Sequence, residues 1–396
     1  MKKTLIAILC IVCIVSCVVL SACDQTPKYN ETFNGHVSEQ TYDTVVEAAQ
    51  AYLAEEISGR TSDVTFVDYV AETSLSETEI DGLELSAAER ARVVSAERGT
   101  VYYTETAKGT SALTRAAANT KTKEIYVLNE GSAFRYYVPA MVVGGEITKS
   151  YYDYVFDKTK YVNFTASGKQ TMDMKIGVNV DGYVSESGVI TTDSTFTYKV
   201  ADNVAYMLSE SQGIKTELLL VETQSGLKMF ANVSGLGSGY DTRGWMPLDD
   251  TLLGLTYSYL DSIDEFVAQI NYDQFDQTFF VKTENGFACR KDRFVEMFQI
   301  MYEQMFDSDA FDGLLDSSYM QDLMSLVLNS MKEIDINFFV RDGRLADCTG
   351  KLVIDMNYTY DTTMSMSIYE ASSFQYTYTD FGSTKITIPA AVQAYL

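Results

Sequence analysis

The sequence predicts an α+β protein built mainly on antiparallel sheet. Long stretches after Tyr161 alternate apolar and polar residues at period two, the pattern of strands with one buried and one wet face. Other stretches carry apolar residues at helical spacing. At 396 residues and 46% hydrophobic content, the chain suffices for one large domain or two ordinary ones, and it is not disordered.

The chain opens with basic Met1-Lys2-Lys3, followed by an almost unbroken apolar run from Thr4 to Leu20. That run is short for a permanent membrane span and suits a secretory signal. It ends in Leu20-Ser21-Ala22-Cys23, and polar Asp24-Gln25-Thr26 follows. This resembles a bacterial lipoprotein signal. The resemblance implies a signal peptide over 1–22, cleavage after Ala22 and diacylglyceryl attachment to Cys23. Two acyl chains hold a protein on a membrane without a spanning helix. No later segment is apolar and long enough to span.

Residues 23–40 are polar, contain Pro27 and the sole histidine, His36, and read as a tether. An N-terminal α+β region is expected over 41–158. Tyr42, Val45, Val46, Ala49, Tyr52, Leu53 and Ile57 mark an amphipathic helix that stops at Gly59. A strand follows at Val64 to Val70. Ser86-Ala87-Ala88-Glu89 forms a capping box and predicts a helix through Val93 and Val94 to Gly99. Val101 to Thr104 and Ile125 to Val127 read as strands, and Thr110 to Lys123 as a long polar loop.

From residue 159 to 396 long strands dominate. Met172, Met174, Ile176, Val178 and Val180 share one face; further strands run from Phe196 to Val233. A helical insert is expected over 251–333, with stripes at Leu255 to Ile270 and Phe294 to Met331, around a strand at Thr278 to Lys282. Phe338 to Val340 turns at Asp342-Gly343. Lys351 to Tyr360 follows, then Met364, Met366 and Ile368 at period two, then Phe374, Tyr376 and Tyr378. The chain closes on Lys385-Ile386-Thr387-Ile388-Pro389.

Charge and composition exclude several functions. Fifty-five acidic residues against 30 basic ones give a net charge of −25, which opposes nucleic-acid binding. One histidine leaves no basis for His-based catalysis or a His-rich metal site. Ser225-Gly226-Leu227-Lys228 matches Ser-x-x-Lys, but lies on a strand turn without its partner motifs. Gly235 to Gly239 lacks the dinucleotide spacing. Asp307 to Gly313 lacks calcium ligands at Phe311 and Ser318. No catalytic residue, metal or cofactor is expected, so the sequence reads as a non-enzyme. Cys289 and Cys348 remain after signal removal, either as one disulfide or as two buried thiols.

The order of strands, helical insert and strands, closing on Tyr378-Thr379-Asp380-Phe381-Gly382 to Pro389, resembles the LolA/LppX-like envelope lipoproteins and their Gram-positive relatives. The resemblance covers about 160–396. It implies a curved antiparallel half-barrel with helices in its mouth, and a hollow for acyl chains or other apolar ligands. Independently, an apolar sheet face needs a cover, and Met-rich helices suit a variable apolar ligand. The candidate pocket residues are Met172, Met174, Ile176, Phe294, Met297, Phe298, Met301, Met305, Met364, Met366 and Ile368. The expectation is a lipid-anchored, extracytoplasmic protein that binds lipid or another apolar ligand. The alternative is an interaction or sensor module with a filled core and a protein or wall-polymer partner, which a compact N-terminal domain with an exposed aromatic surface would favour. Trp245, with Tyr240, Arg243 and Pro247, reads either as an exposed aromatic patch for a glycan or peptide or, in preference, as packing against the sheet.

Overall fold

The computed structural model describes residues 35–59, 62–107, 120–235, 244–248, 262–264, 267, 275–294, 330–359 and 364–396. The described chain is mostly antiparallel strand with short helices, an α+β fold. It divides into two compact units. One comprises Asn30–Phe156 with Asp273–Phe287, and the other Asp157–Tyr272 with Ala288–Leu396.

The N-terminal unit begins with β1 (His36–Val37), inside the stretch read as a tether. Two pairings, His36 with Val138 and Val37 with Tyr137, draw it into a sheet. Helix α1 (Val45–Tyr52) follows and widens into a π-turn over Leu53–Ile57. Its start is set by a capping box: Thr44 Oγ1 accepts from Glu47 N, and Glu47 Oε2 accepts from Thr44 N. Next come β2 (Ser62–Ser74), α2 (Glu77–Asp81) and α3 (Ala87–Arg90). The helix expected to reach Gly99 is therefore only four residues long. Val93 enters a core with Ile80, Ala96, Leu128 and Tyr137, and the backbone from Ser95 is taken up by sheet pairing. That strand, β3 (Ser95–Ala107), pairs with β4 (Thr120–Asn129), which begins inside the expected polar loop. β5 (Phe134–Val138) and α4 (Lys149–Val155) complete the run. The sheet order is β1-β5-β4-β3-β2. Ala48, Ala49, Tyr52 and Leu53 of the first helix and π-turn pack with Val101, Ile125, Val127 and Tyr136.

In the larger unit β6 (Asn163–Val180) turns at Asp181-Gly182 into β7 (Tyr183–Glu186). A meander follows: β8 (Ile190–Ala201), β9 (Val204–Ser211), β10 (Ile214–Thr223) and β11 (Gly226–Ser234), with β12 (Met246–Pro247) at its edge. Of the expected insert, the long apolar stripes fall largely outside the described residues. Asp273–Phe287 belongs to the N-terminal unit, not to the insert's own unit. It carries β13 (Phe280–Thr283) and the first half of β14 (Gly286–Cys289). Met331, expected to close a helix, instead opens β15 (Met331–Arg341). β16 (Arg344–Thr359) and β17 (Met364–Thr379) end the sheet. Within this unit the order is β12-β11-β10-β9-β8-β6-β17-β16-β15.

Three hairpins use two-residue turns with both φ values positive: Asp181-Gly182, Gln212-Gly213 and Asp342-Gly343. Such turns match the right-handed twist of the strands they join, and glycine at the second position adopts the conformation without strain. The closing segment Lys385–Pro389 is not a strand. Asn163 Nδ2 donates to the Thr384 carbonyl, and Thr384 N donates back to Asn163 Oδ1. Beyond this clamp Ile386 and Ile388 pack with Leu219, Val221, Phe230 and Trp245, and α5 (Ala390–Gln393) adds Val392. Trp245 is thus half-buried and packs against this core, while Tyr240 and Arg243 lie outside the described residues. Among the described residues no helix is long and apolar enough to cross a membrane.

Candidate functional site

The register of the large sheet decides which side chains meet. Ala166 pairs with Tyr378 and Val180 with Met364, so one register spans the β6–β17 seam. It sets Met172 level with Ser372, Met174 with Glu370, Ile176 with Ile368 and Val178 with Met366. Side chains alternate faces, so these residues share one side of the sheet. On β16 the same face continues through Leu352, Ile354 and Met356, which pair with Ser372, Glu370 and Ile368. All three are buried, as are Met366 and Ile368, while Met172, Met174 and Ile176 are half-buried.

Five sequence-predicted pocket residues are thereby brought together from two distant parts of the chain. Met364 opens β17, opposite Val180. Phe294 is buried, following the short turn Lys291–Arg293. Met297, Phe298, Met301 and Met305 lie outside the described residues, as does Cys23.

The apolar face is interrupted by an island of polar side chains. Glu370 is 0% exposed and Ser372 1% exposed, between Ile354 and Leu352 on one flank and the two β6 methionines on the other. The Ser372 hydroxyl is buried and has no hydrogen-bond partner. One step along the strand, Phe374 is fully buried across from Gly350. A Cβ on Gly350 would stand 1.9 Å from the Phe374 ring, so the ring lies flat against bare backbone and fills that side of the island. Gln170 is also buried and pairs with Ser194, whose Oγ donates to Ser211 Oγ at 2.9 Å.

Buried polar groups are costly in apolar surroundings unless hydrogen-bonded, so an unpartnered one calls for a reason. No family model, no curated protein and no solved structure matches this chain. The reading of the site therefore rests on its own chemistry. The sequence reading missed Glu370 and Ser372. Their signal was a lapse in the alternation, since the even positions from Met364 to Tyr378 are apolar except at these two.

The cysteines resolve toward the second alternative. Cys289 and Cys348 are both free and buried. Within the larger unit Cys289 lies on the far side of β15 from Cys348. Two strand spacings make about 10 Å, beyond the roughly 7 Å that a disulfide bridges. Burial pushes both thiols up, the opposite of a reactive thiolate.

The opposite, wetter face holds a different feature. A hollow of about 300 Å³ is lined by Asn179, Glu186, Asn357, Ser365 and Ser367, with Met366 and Val184 also at its wall. Gly177 forms its floor; a Cβ there would stand 2.4 Å from Ser367 Oγ. Glu186 is paired with Lys175 at 2.6 Å. Ser225 and Lys228 do not form an acyl-enzyme pair: Ser225 sits in the turn between β10 and β11, and Lys228 Nζ donates to the Tyr395 carbonyl.

Proposed function

We propose that this protein is a lipid-anchored, non-enzymatic envelope protein that binds an apolar ligand, a lipid for example, on the methionine-rich face of its large sheet. The anchor is the Cys23 thiol, on the outer side of the membrane. The sheet would curve into a half-barrel around the ligand. The observation that carries this reading is the seam itself. Met172, Met174 and Ile176 stand level with Ser372, Glu370 and Ile368, and they are only half-buried where every neighbour on β16 and β17 is buried. Methionine adapts to ligands of varied shape, and apolar pockets draw their affinity from such side chains.

Native mass spectrometry of the chain from residue 23 onward, as Cys23→Ser and purified from bacteria without detergent, tests the proposal. An added mass that leaves on organic extraction and matches a lipid is the expected result. A clean protein mass with no uptake of added lipid overturns it.

The polar hollow around Gly177 favours a second reading, an interaction module for a wall polymer. Its amide, hydroxyl and carboxylate lining suits a polyhydroxylated ligand and not an acyl chain. Loss of binding to purified cell-wall polymer in Asn357→Ala, with lipid content unchanged, would support this reading over the first.

A further inference from the structure

We infer that the hollow over Gly177 receives one N-acetylated sugar unit of an uncharged glycan. The inference rests on the wall-polymer reading above and names the sugar which that reading leaves open.

The hollow is built by register. Four strands lie side by side there, and their wet-face residues form two rows. Glu186, Gly177, Ser367 and Asn357 make one row; Val184, Asn179, Ser365 and Thr359 make the next. From β7 to β16 a row spans three strand spacings, about 14 Å. Gly177 alone in the two rows lacks a side chain, and the hollow of about 300 Å³ opens there. Small-molecule sites run from about 300 to 1,000 Å³, so this one suits a single ring and not a long chain.

The lining selects the ring's substituents. Asn357 is exposed and carries an amide donor and an amide acceptor side by side. Asn179 Oδ1 accepts from Gly182 N at 3.1 Å, so Asn179 offers its NH2 end. Ser365 and Ser367 add hydroxyls. One wall residue of the wet face breaks this polar pattern: Val184, which is 66% exposed. A plain hexose has no methyl group to set against it. An acetamido group has one, together with an N–H and a C=O that a side-chain amide answers reciprocally. Two residues along β17 from Ser367, on the same face, Tyr369 is 42% exposed. Its ring offers a flat apolar surface to the C–H face of a pyranose.

Charge selects against anionic polymers. Glu186 stands in the wall, and Asp355 is level with Tyr369. Lys175 and Lys351, on the same face, are already paired, with Glu186 at 2.6 Å and with Glu333 at 2.7 Å. A phosphate or carboxylate on the ligand would meet these carboxylates in a chain of net charge −25.

The test titrates chitotriose and cellotriose into the full chain by calorimetry. The two sugars differ only at C2 of each ring, acetamido in one and hydroxyl in the other. The expected result is tighter binding of chitotriose by about tenfold or more. In Val184→Thr, which keeps a β-branched side chain at an exposed strand position, the preference shrinks several-fold while cellotriose binding is unchanged. Equal affinities, or a preference that Val184→Thr leaves intact, would overturn the inference. So would binding of purified cell-wall polymer with neither trisaccharide bound, and in each of these cases the wall-polymer reading stands. Binding of neither polymer nor trisaccharide would remove that reading and the inference with it.

Discussion

The two units each bury polar side chains, and they treat them differently. In the N-terminal unit buried Glu56 accepts from Ser150 N at 3.2 Å with His36 Nε2 at 3.5 Å, and exposed Glu55 beside it accepts from the Tyr42 and Tyr136 hydroxyls. These carboxylates form a knot that ties the π-turn to the first strand, β5 and α4. In the larger unit Ser372 is buried on an apolar sheet face, and its hydroxyl has no partner. Burial alone does not separate structural from functional polar groups. The distinction lies in whether the surroundings already answer each donor and acceptor.

The largest effect is expected where packing is tightest. Phe374→Ala should cost about 3–5 kcal/mol, because it empties the space over Gly350 as well as the core beside it. A shift of the urea midpoint in the larger unit would measure it; a shift below about 1 kcal/mol would mean that the ring is not wedged against the backbone. Glu56→Ala and Ser372→Ala then test the comparison directly. The first leaves the Ser150 amide without its acceptor and should destabilise by about 1–3 kcal/mol. The second removes a hydroxyl that has no partner and should leave stability unchanged or raise it by about 1 kcal/mol. Equal losses in both variants would erase the contrast.

Thr44→Ala should cost about 1 kcal/mol through loss of one arm of the capping box, read from the thermal midpoint. The last effect is alkaline. Burial, with Glu55 second, pushes the Tyr42 hydroxyl up to about 12, and burial, with Glu105 and Glu146 after it, does the same for Tyr103. A phenol whose folded value is raised contributes stability that is complete below its ordinary value near 10 and is lost as pH climbs toward 12. Tyrosinate absorbance and circular dichroism, followed together, should therefore change in step across that window. Ionisation of these tyrosines at pH 10 with the fold intact would contradict the burial of their hydroxyls.

Much of the sheet was legible because period two survives wherever one face is buried. Met172, Met174 and Ile176 were assigned to one face from spacing alone, and Met366 and Ile368 likewise. That these two groups are neighbours was not legible, since the register joins parts of the chain far apart in sequence. Local signals misled where tertiary pairing prevailed. The Ser86 capping box is real, with both of its hydrogen bonds formed, yet the helix ends at Arg90 because Ser95 onward pairs with β4. The reading of Lys385–Pro389 as a strand failed for a related reason. Ile386 and Ile388 alternate as a strand would, but they bury one face against Phe230 and Trp245 without joining the ladder. Glu370 and Ser372 were visible only as missing hydrophobic residues, and a missing residue carries no sign of its role.

The seam between β6 and β17 has a consequence for the nascent chain. The meander from β8 to β11 pairs each strand with the next, so it zips as it emerges. One edge of β6, however, waits for a partner made about 180 residues later. At ordinary rates of synthesis that is an interval of between about ten and forty seconds. Throughout it, an 18-residue strand with Met172, Met174 and Ile176 on one side shows an open edge, the kind of surface that pairs with the wrong chain. Whatever shields that edge during synthesis, a holdase or an early-bound ligand, would act before the protein is whole.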